Sequence, residues 1–185
     1  MGTMIIDFET NKTIDIDELW AQSDYLEALN VSYENDRAFI LVSAVALEQK
    51  ISILLESLLP SISSLEDNKE FTFSFKTNLL KSFDLYNAKV IEYIHLIRKI
   101  RNEFAHDLTI SNFEKLHSGT INHIDQCFTN IKPNRESKEI REKIEAIVKW
   151  LFWELISLEP YTKKLRAVLT SRETKERLLE IKRSK

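Results

Sequence analysis

The sequence is short of the residues that build tight backbone sites, with 2 Gly, 3 Pro and 1 Cys among 185 residues. Average usage, about 7%, would supply roughly 13 glycines. Phosphate-cradling loops, nucleophile elbows and type I′ hairpins need glycine where φ is positive or a ligand approaches the backbone. One of the two glycines is Gly2, so neither a P-loop nor a dinucleotide fold is expected. The single cysteine, Cys127, excludes an internal disulfide framework and a cysteine-based zinc site within one chain. His117 and His123 are six apart, not the three or four of a helical ligand pair, so no metal is expected, and no cofactor either. The start, Met1-Gly2-Thr3-Met4, lacks the basic and apolar regions of a secretory signal. No run reaches the roughly 18 apolar residues of a membrane span. With an unpaired Cys127, these absences lead to the expectation of a soluble, cytoplasmic protein.

What is present is apolar and helical. Hydrophobic residues make up 43% of the chain, enough for one compact core at this length. The net charge of −3 argues against a generic DNA-coating surface. The charge is unevenly placed: residues 1–70 carry 4 basic and 14 acidic side chains, and residues 71–185 carry 22 and 15. Either one half packs on the other, the favoured reading, or a basic surface survives in the second half.

Apolar spacing predicts a helix within Thr13–Asn30 (Leu19, Leu26, Leu29) and a central one from Tyr33 to Leu59, stopped by Pro60. The second carries Ile40, Ala44, Leu47, Ile51, Leu54, Leu55 and Leu58 at the 3.6-residue period, with Leu41, Val42, Val45 and Ile53 covering much of the rest. Pro60 to Glu70 reads as a loop and Phe71–Phe83 as a short helix. Asn87 breaks the pattern before a strong helix, Ala88–Leu108. Short helical pieces follow over Ser111–Phe128, and Lys132-Pro133-Asn134 marks another break. A long helix, Glu136–Leu158, with Ile140, Ile144, Ile147, Leu151 and Leu155 on one stripe, is ended or kinked by Glu159-Pro160. Its residues Trp150, Phe152 and Trp153 read as core or dimer packing. Thr170 and Glu173 have the spacing of a capping box for a last helix. The basic residues Lys163, Lys164, Arg166, Arg172, Lys175 and Arg177 read as a solvated amphipathic face. No repeat, low-complexity tract or Pro/Gly linker appears. The expectation is an all-α, single-domain helical bundle of about six or seven helices. It comprises an acidic segment (1–32), a core (33–158) and a basic C-terminal helix (159–185).

One segment speaks about function. In Ala88–Leu108, the residues Val90, Tyr93, Ile94, Ile97, Ile100, Phe104 and Leu108 form one stripe at 100° per residue. Arg101 falls inside that stripe, so it is expected to be buried against a carboxylate, with Glu48 and Asp36 the best placed. Arg98, Asn102 and His106 follow one another at i, i+4 and i+8, with His95 close by, as a compact polar row. A cationic His106 near a helix C-terminus, flanked by Arg and Asn, suits phosphate binding and proton transfer. It equally suits a helix cap or an interface.

Arg101-Asn102 followed by His106 resembles the Arg-x4–6-His signature of the HEPN superfamily of small helical bundles. Three blocks are similar to the mannitol operon repressor (MltR-like) family. They are Asn35-Asp36-Arg37-Ala38-Phe39-Ile40, Phe73-Ser74-Phe75-Lys76, and the run from Leu96 through Arg98, Arg101 and Asn102 to His106. The resemblance spans Tyr33 to Leu158, and the flanks have no counterpart in it. MltR-like proteins imply a regulator of the transcriptional-repressor type that works through protein partners rather than by reading DNA. HEPN ribonucleases, among them toxins and defence effectors, imply metal-independent RNA cleavage, often across a dimer. In that chemistry His106 would be the general acid/base, Arg101 would stabilise the phosphorane and Asn102 would orient it. Arg101 and His106 diverge by about 140° on an undistorted helix, which favours a structural Arg101. The leading expectation is therefore a homodimeric regulator acting through protein contacts, with RNA cleavage the alternative and direct DNA binding disfavoured. Arg98, His95, Asp36, Arg37 and Glu48 are expected in structural or binding roles.

Overall fold

A computed structural model describes residues 4–7, 12–15, 35–65, 69–84, 86–133, 137, 139–169, 171 and 176. The fold is all-α, with one short antiparallel hairpin ahead of the helices. Its strands are β1 (Met4–Asp7) and β2 (Lys12–Asp15), with Met4 opposite Asp15 and Ile6 opposite Thr13. Thr13–Asp15 is thus extended rather than helical, in keeping with the β-branched pair Thr13-Ile14. The rest of the helix expected before Asn30 lies outside the described residues.

The helices are α1 (Asp36–Leu58), α2 (Phe73–Ser82), α3 (Ala88–His106), α4 (Ser118–Ile131) and α5 (Ile140–Ser157). A further helical segment, α6 (Glu159–Leu169), follows α5 across Leu158 alone. Among the described residues, five helices stand apart from one another, fewer than the six or seven expected. The helix expected after Thr170 lies almost wholly outside the described residues. Helix starts are set by side chains that accept orphan backbone N–H groups. Asn35 Oδ1 accepts from Arg37 N at 2.8 Å, Thr72 Oγ1 from Phe75 N at 3.3 Å, and Asn87 Oδ1 from Lys89 N at 3.0 Å. Pro60 closes α1, and the segment read as a loop holds a 3₁₀ turn, Pro60–Leu65. After α2, Asp84 takes φ 52°, the left-handed position that glycine commonly holds at a helix end.

Packing divides into two compact units. The first comprises 1–46 and 93–153. In it, Phe113 stacks edge-on against Phe39 (6.3 Å) and Phe104 (5.4 Å), and all three rings are buried. Arg141 lies 4.9 Å over Phe39 and Arg37 5.9 Å over Phe104. Asp36 Oδ1 pairs with Arg141 Nη1 at 2.6 Å, while Asp36 Oδ2 accepts the Phe113 N–H at 2.9 Å. Ile144, Ile147 and Leu151 bury the expected stripe of α5, and Trp150 packs on Tyr93 at 5.1 Å.

The second unit comprises 47–92 and 154–185. Its core holds Leu47, Ile51, Leu54, Leu55, Leu80 and Val90. Lys50 is buried there with its ammonium 2.7 Å from Glu159, so that a lysine amid apolar neighbours keeps a counter-charge. Burial and the neighbouring Glu154 charge push the Tyr86 hydroxyl well above its usual range, and burial alone raises Glu154.

Two expectations about α1 change. It is long and apolar enough to cross a membrane by length and composition, although its Glu48 and Lys50 interrupt the run. Over that stretch 56% is buried within the fold, as in a core helix. Val45 and Ile53, read as covering the helix's remaining sides, are exposed.

Asp36 holds an ion pair and a backbone N–H together, so Asp36→Ala is expected to lower stability by about 2 kcal/mol. Asp36→Asn keeps an acceptor for the Phe113 N–H and should cost about half as much. Urea midpoints of the two variants check this; equal midpoints would contradict it.

Candidate functional site

Helix α3 buries Tyr93, Ile94, Leu96, Ile97, Ile100 and Phe104 and turns its other side outward. Along that outer side, His95, Arg98, Lys99, Asn102, Glu103 and His106 recur at helical spacing. With Asp107 and His117 they line a solvent-open groove of about 660 Å³. The expected row of Arg98, Asn102, His106 and His95 is therefore assembled on one surface. His106 and Lys99 are exposed, and Arg98, Asn102 and His95 are half-buried. Among the described residues, Arg98, Lys99 and His106 have no hydrogen-bond or ionic partner.

Arg101 departs from expectation. It is exposed rather than buried, and its Nη1 donates to Asn102 Oδ1 at 3.0 Å. The cause is where the covering stops. Arg101 and Ala105 lie one turn apart on the helix and both are exposed, and Leu108, just past the helix end, is 82% exposed. Solvent therefore satisfies the guanidinium that the core would have had to pair. Leu108 leaves the apolar stripe because α3 ends at His106. The angular divergence of Arg101 from His106 is realised: His106 lines the groove and Arg101 does not.

The expected carboxylate partners serve other cations. Asp36 holds Arg141, and Glu48 accepts from Lys76 Nζ at 3.1 Å. Arg37 is structural. Its Nη2 donates to the Asp107 carbonyl at 3.2 Å and the Ile110 carbonyl at 2.8 Å, occupying acceptors exposed where α3 stops. Asp107 Oδ1 accepts from both the N–H (2.8 Å) and the hydroxyl (2.7 Å) of Thr109, closing a side-chain turn. Those bonds from Thr109 hold the Asp107 carboxyl below the usual carboxylate range.

Four groove residues escaped the sequence reading as site residues: Lys99, Glu103, Asp107 and His117. Lys99 and Glu103 share the helical period of the row and were legible from it. His117 was not, because only the return of the chain through the 3₁₀ turn Phe113–Lys115 brings it back to α3. There Glu103 joins α3 to the start of α4. Its Oε2 accepts from His117 Nδ1 at 2.9 Å and from the His117 N–H at 3.1 Å, and its Oε1 accepts from the Thr120 hydroxyl. Burial opposes ionisation of Glu103, whose side chain is 11% exposed. The bonds from Thr120 and His117 and the His117 charge outweigh it and hold the carboxyl below its usual range. A carboxylate at a helix N-terminus also meets the positive end of the helix dipole.

A folded-state pKa below the unfolded one means that Glu103 contributes stability above its ordinary range. That contribution is lost as pH falls through the folded value. The gap in urea midpoint between wild type and Glu103→Gln should be widest near neutral pH and shrink below about pH 4.3. A gap constant from pH 7 to pH 3 would contradict it.

Compared with protein-family models, curated proteins and solved structures, the chain gives no significant match.

Proposed function

We propose that the groove on α3 binds the phosphodiester backbone of RNA and that the chain is a metal-independent endoribonuclease of the HEPN type. The observation that carries this reading is that the side chains of Arg98, Lys99 and His106, unpartnered among the described residues, line one solvent-open groove with Asn102. Arg98 and Lys99 supply charge for phosphate oxygens. Asn102 Oδ1 already accepts from Arg101, which leaves its amide as a donor toward a phosphate. His106 is the general acid/base. The resemblance of Arg101-Asn102 and His106 to the HEPN signature supports the same assignment. The exposure of Arg101, Ala105 and the apolar Leu108 at this end of α3 supports a homodimer in which Arg101 acts from the subunit boundary.

A second reading is the MltR-like regulator, which would use the groove for an acidic protein partner. Its support is that Arg101 stays out of the groove lining, so one chain does not assemble the complete Arg–His pair. Direct DNA reading has no comparable support.

Incubation with RNA in EDTA separates these readings. The ribonuclease reading expects cleavage that survives chelation and falls by about a hundredfold or more in His106→Ala. Intact RNA after incubation with the folded protein would leave the regulator. Separately, Arg98→Ala with Lys99→Ala should flatten the salt dependence of single-stranded RNA binding, by roughly 0.7 in log–log slope per lost contact. An unchanged slope would remove both side chains from the interface.

A further inference from the structure

Metal-free cleavage beside a ribose hydroxyl requires two proton transfers, one from the attacking 2′-oxygen and one to the departing 5′-oxygen. The HEPN-type signature accounts for a single imidazole, His106. Two other histidines line the groove, His95 and His117. His95 lies eleven residues before His106, roughly 16 Å along the helix axis, too far to share one phosphate with it. His117 is close. Glu103 sits one turn before His106, with Cβ atoms about 5–6 Å apart at that spacing, and His117 Nδ1 bonds the Glu103 carboxylate at 2.9 Å.

We propose that His117, oriented by Glu103, is the second acid/base group of the groove. The assignment rests on the ribonuclease reading. An ionised carboxylate only accepts, so the bond fixes the proton of neutral His117 on Nδ1 and leaves the Nε2 lone pair available. The ring is 71% exposed, within reach of a bound strand. Glu103 is itself held by the His117 N–H and the Thr120 hydroxyl, so its geometry does not depend on a ligand. Asp107, the other groove carboxylate, also feels the His117 charge, but its Oδ1 is engaged by Thr109 and the hydrogen bond to the imidazole comes from Glu103.

In the step, His117 Nε2 takes the proton of the 2′-hydroxyl as O2′ forms its bond to phosphorus. The P–O5′ bond breaks, and O5′ takes a proton from the His106 imidazolium. The products are a 2′,3′-cyclic phosphate and a 5′-hydroxyl. The reaction uses no water, oxidant or metal, and the proton balance closes when His117 and His106 exchange protons with solvent. Glu103 is a positioning residue, whereas His117 touches substrate.

The test uses a fluorophore–quencher RNA oligonucleotide in EDTA with wild type, His117→Ala and Glu103→Gln. The expected result is a 2′,3′-cyclic phosphate product from wild type and a loss of about a hundredfold in kcat for His117→Ala. Added imidazole should restore part of that loss, which a merely structural histidine would not allow. His117 is exposed, so His117→Ala should melt with wild type by circular dichroism. Glu103→Gln should lower kcat with little change in KM. Cleavage by His117→Ala at the wild-type rate, or a loss that imidazole does not rescue, overturns the assignment and leaves the ribonuclease reading standing. Failure of wild type to cleave overturns both.

Discussion

The ring of Phe113 is the pin on which the groove end of α3 turns. It is fully buried between Phe39 of α1 and Phe104 of α3, and its backbone N–H is held by Asp36. An aromatic side chain buries about 150–250 Å², so seating this ring fixes the return of the chain after α3 more firmly than any single polar bond nearby. Everything C-terminal to it in the first unit inherits that placement. The start of α4 is brought back to the last turn of α3, and His117 meets Glu103. The polar bonds are consequences of an apolar anchor, and they add direction to it.

Scarcity of glycine shapes how the turns are made. Helix ends usually rely on a left-handed glycine to satisfy their last carbonyls. Here Asp84 enters that region after α2, at the cost that any side chain bears there. At the end of α3 the backbone avoids it altogether. Arg37 reaches in to occupy the Asp107 and Ile110 carbonyls, and Asp107 folds onto Thr109. The same economy governs the groove, where the lining groups are side chains rather than a backbone cradle. Such a site is built from long, mobile cations and imidazoles, so its precision depends on which of them are tied down. Arg101 is tied to Asn102 and His117 to Glu103, while Arg98, Lys99 and His106 have no such tether among the described residues.

Helical period made much of this legible. The spacing of Ile144, Ile147 and Leu151 marked the buried face of α5, and the i, i+4, i+8 row of Arg98, Asn102 and His106 marked the outer face of α3. Pro60 and Asn87 marked real boundaries. Period failed for Arg101 because it measures direction around a helix and not the extent of what packs against it. The arc that is covered at Ile94 and Ile97 lies open at Arg101, Ala105 and Leu108. It failed again for Asp36 and Glu48, whose cationic partners come from α5 and α2.

The amino-acid sequence by itself determined the all-α class, the main helices and the polar side chains carried on the outer face of α3. Those properties follow from local geometry, because every residue on one helix knows its neighbours three and four positions away. Only tertiary structure decided that Arg101 is a surface residue, that Arg37 caps α3, and that Glu103 grips His117. Each of these depends on segments far apart in the chain meeting at angstrom separations. Burial of Phe113 fixes the meeting of α3 with α4, and no spacing along a single helix encodes it.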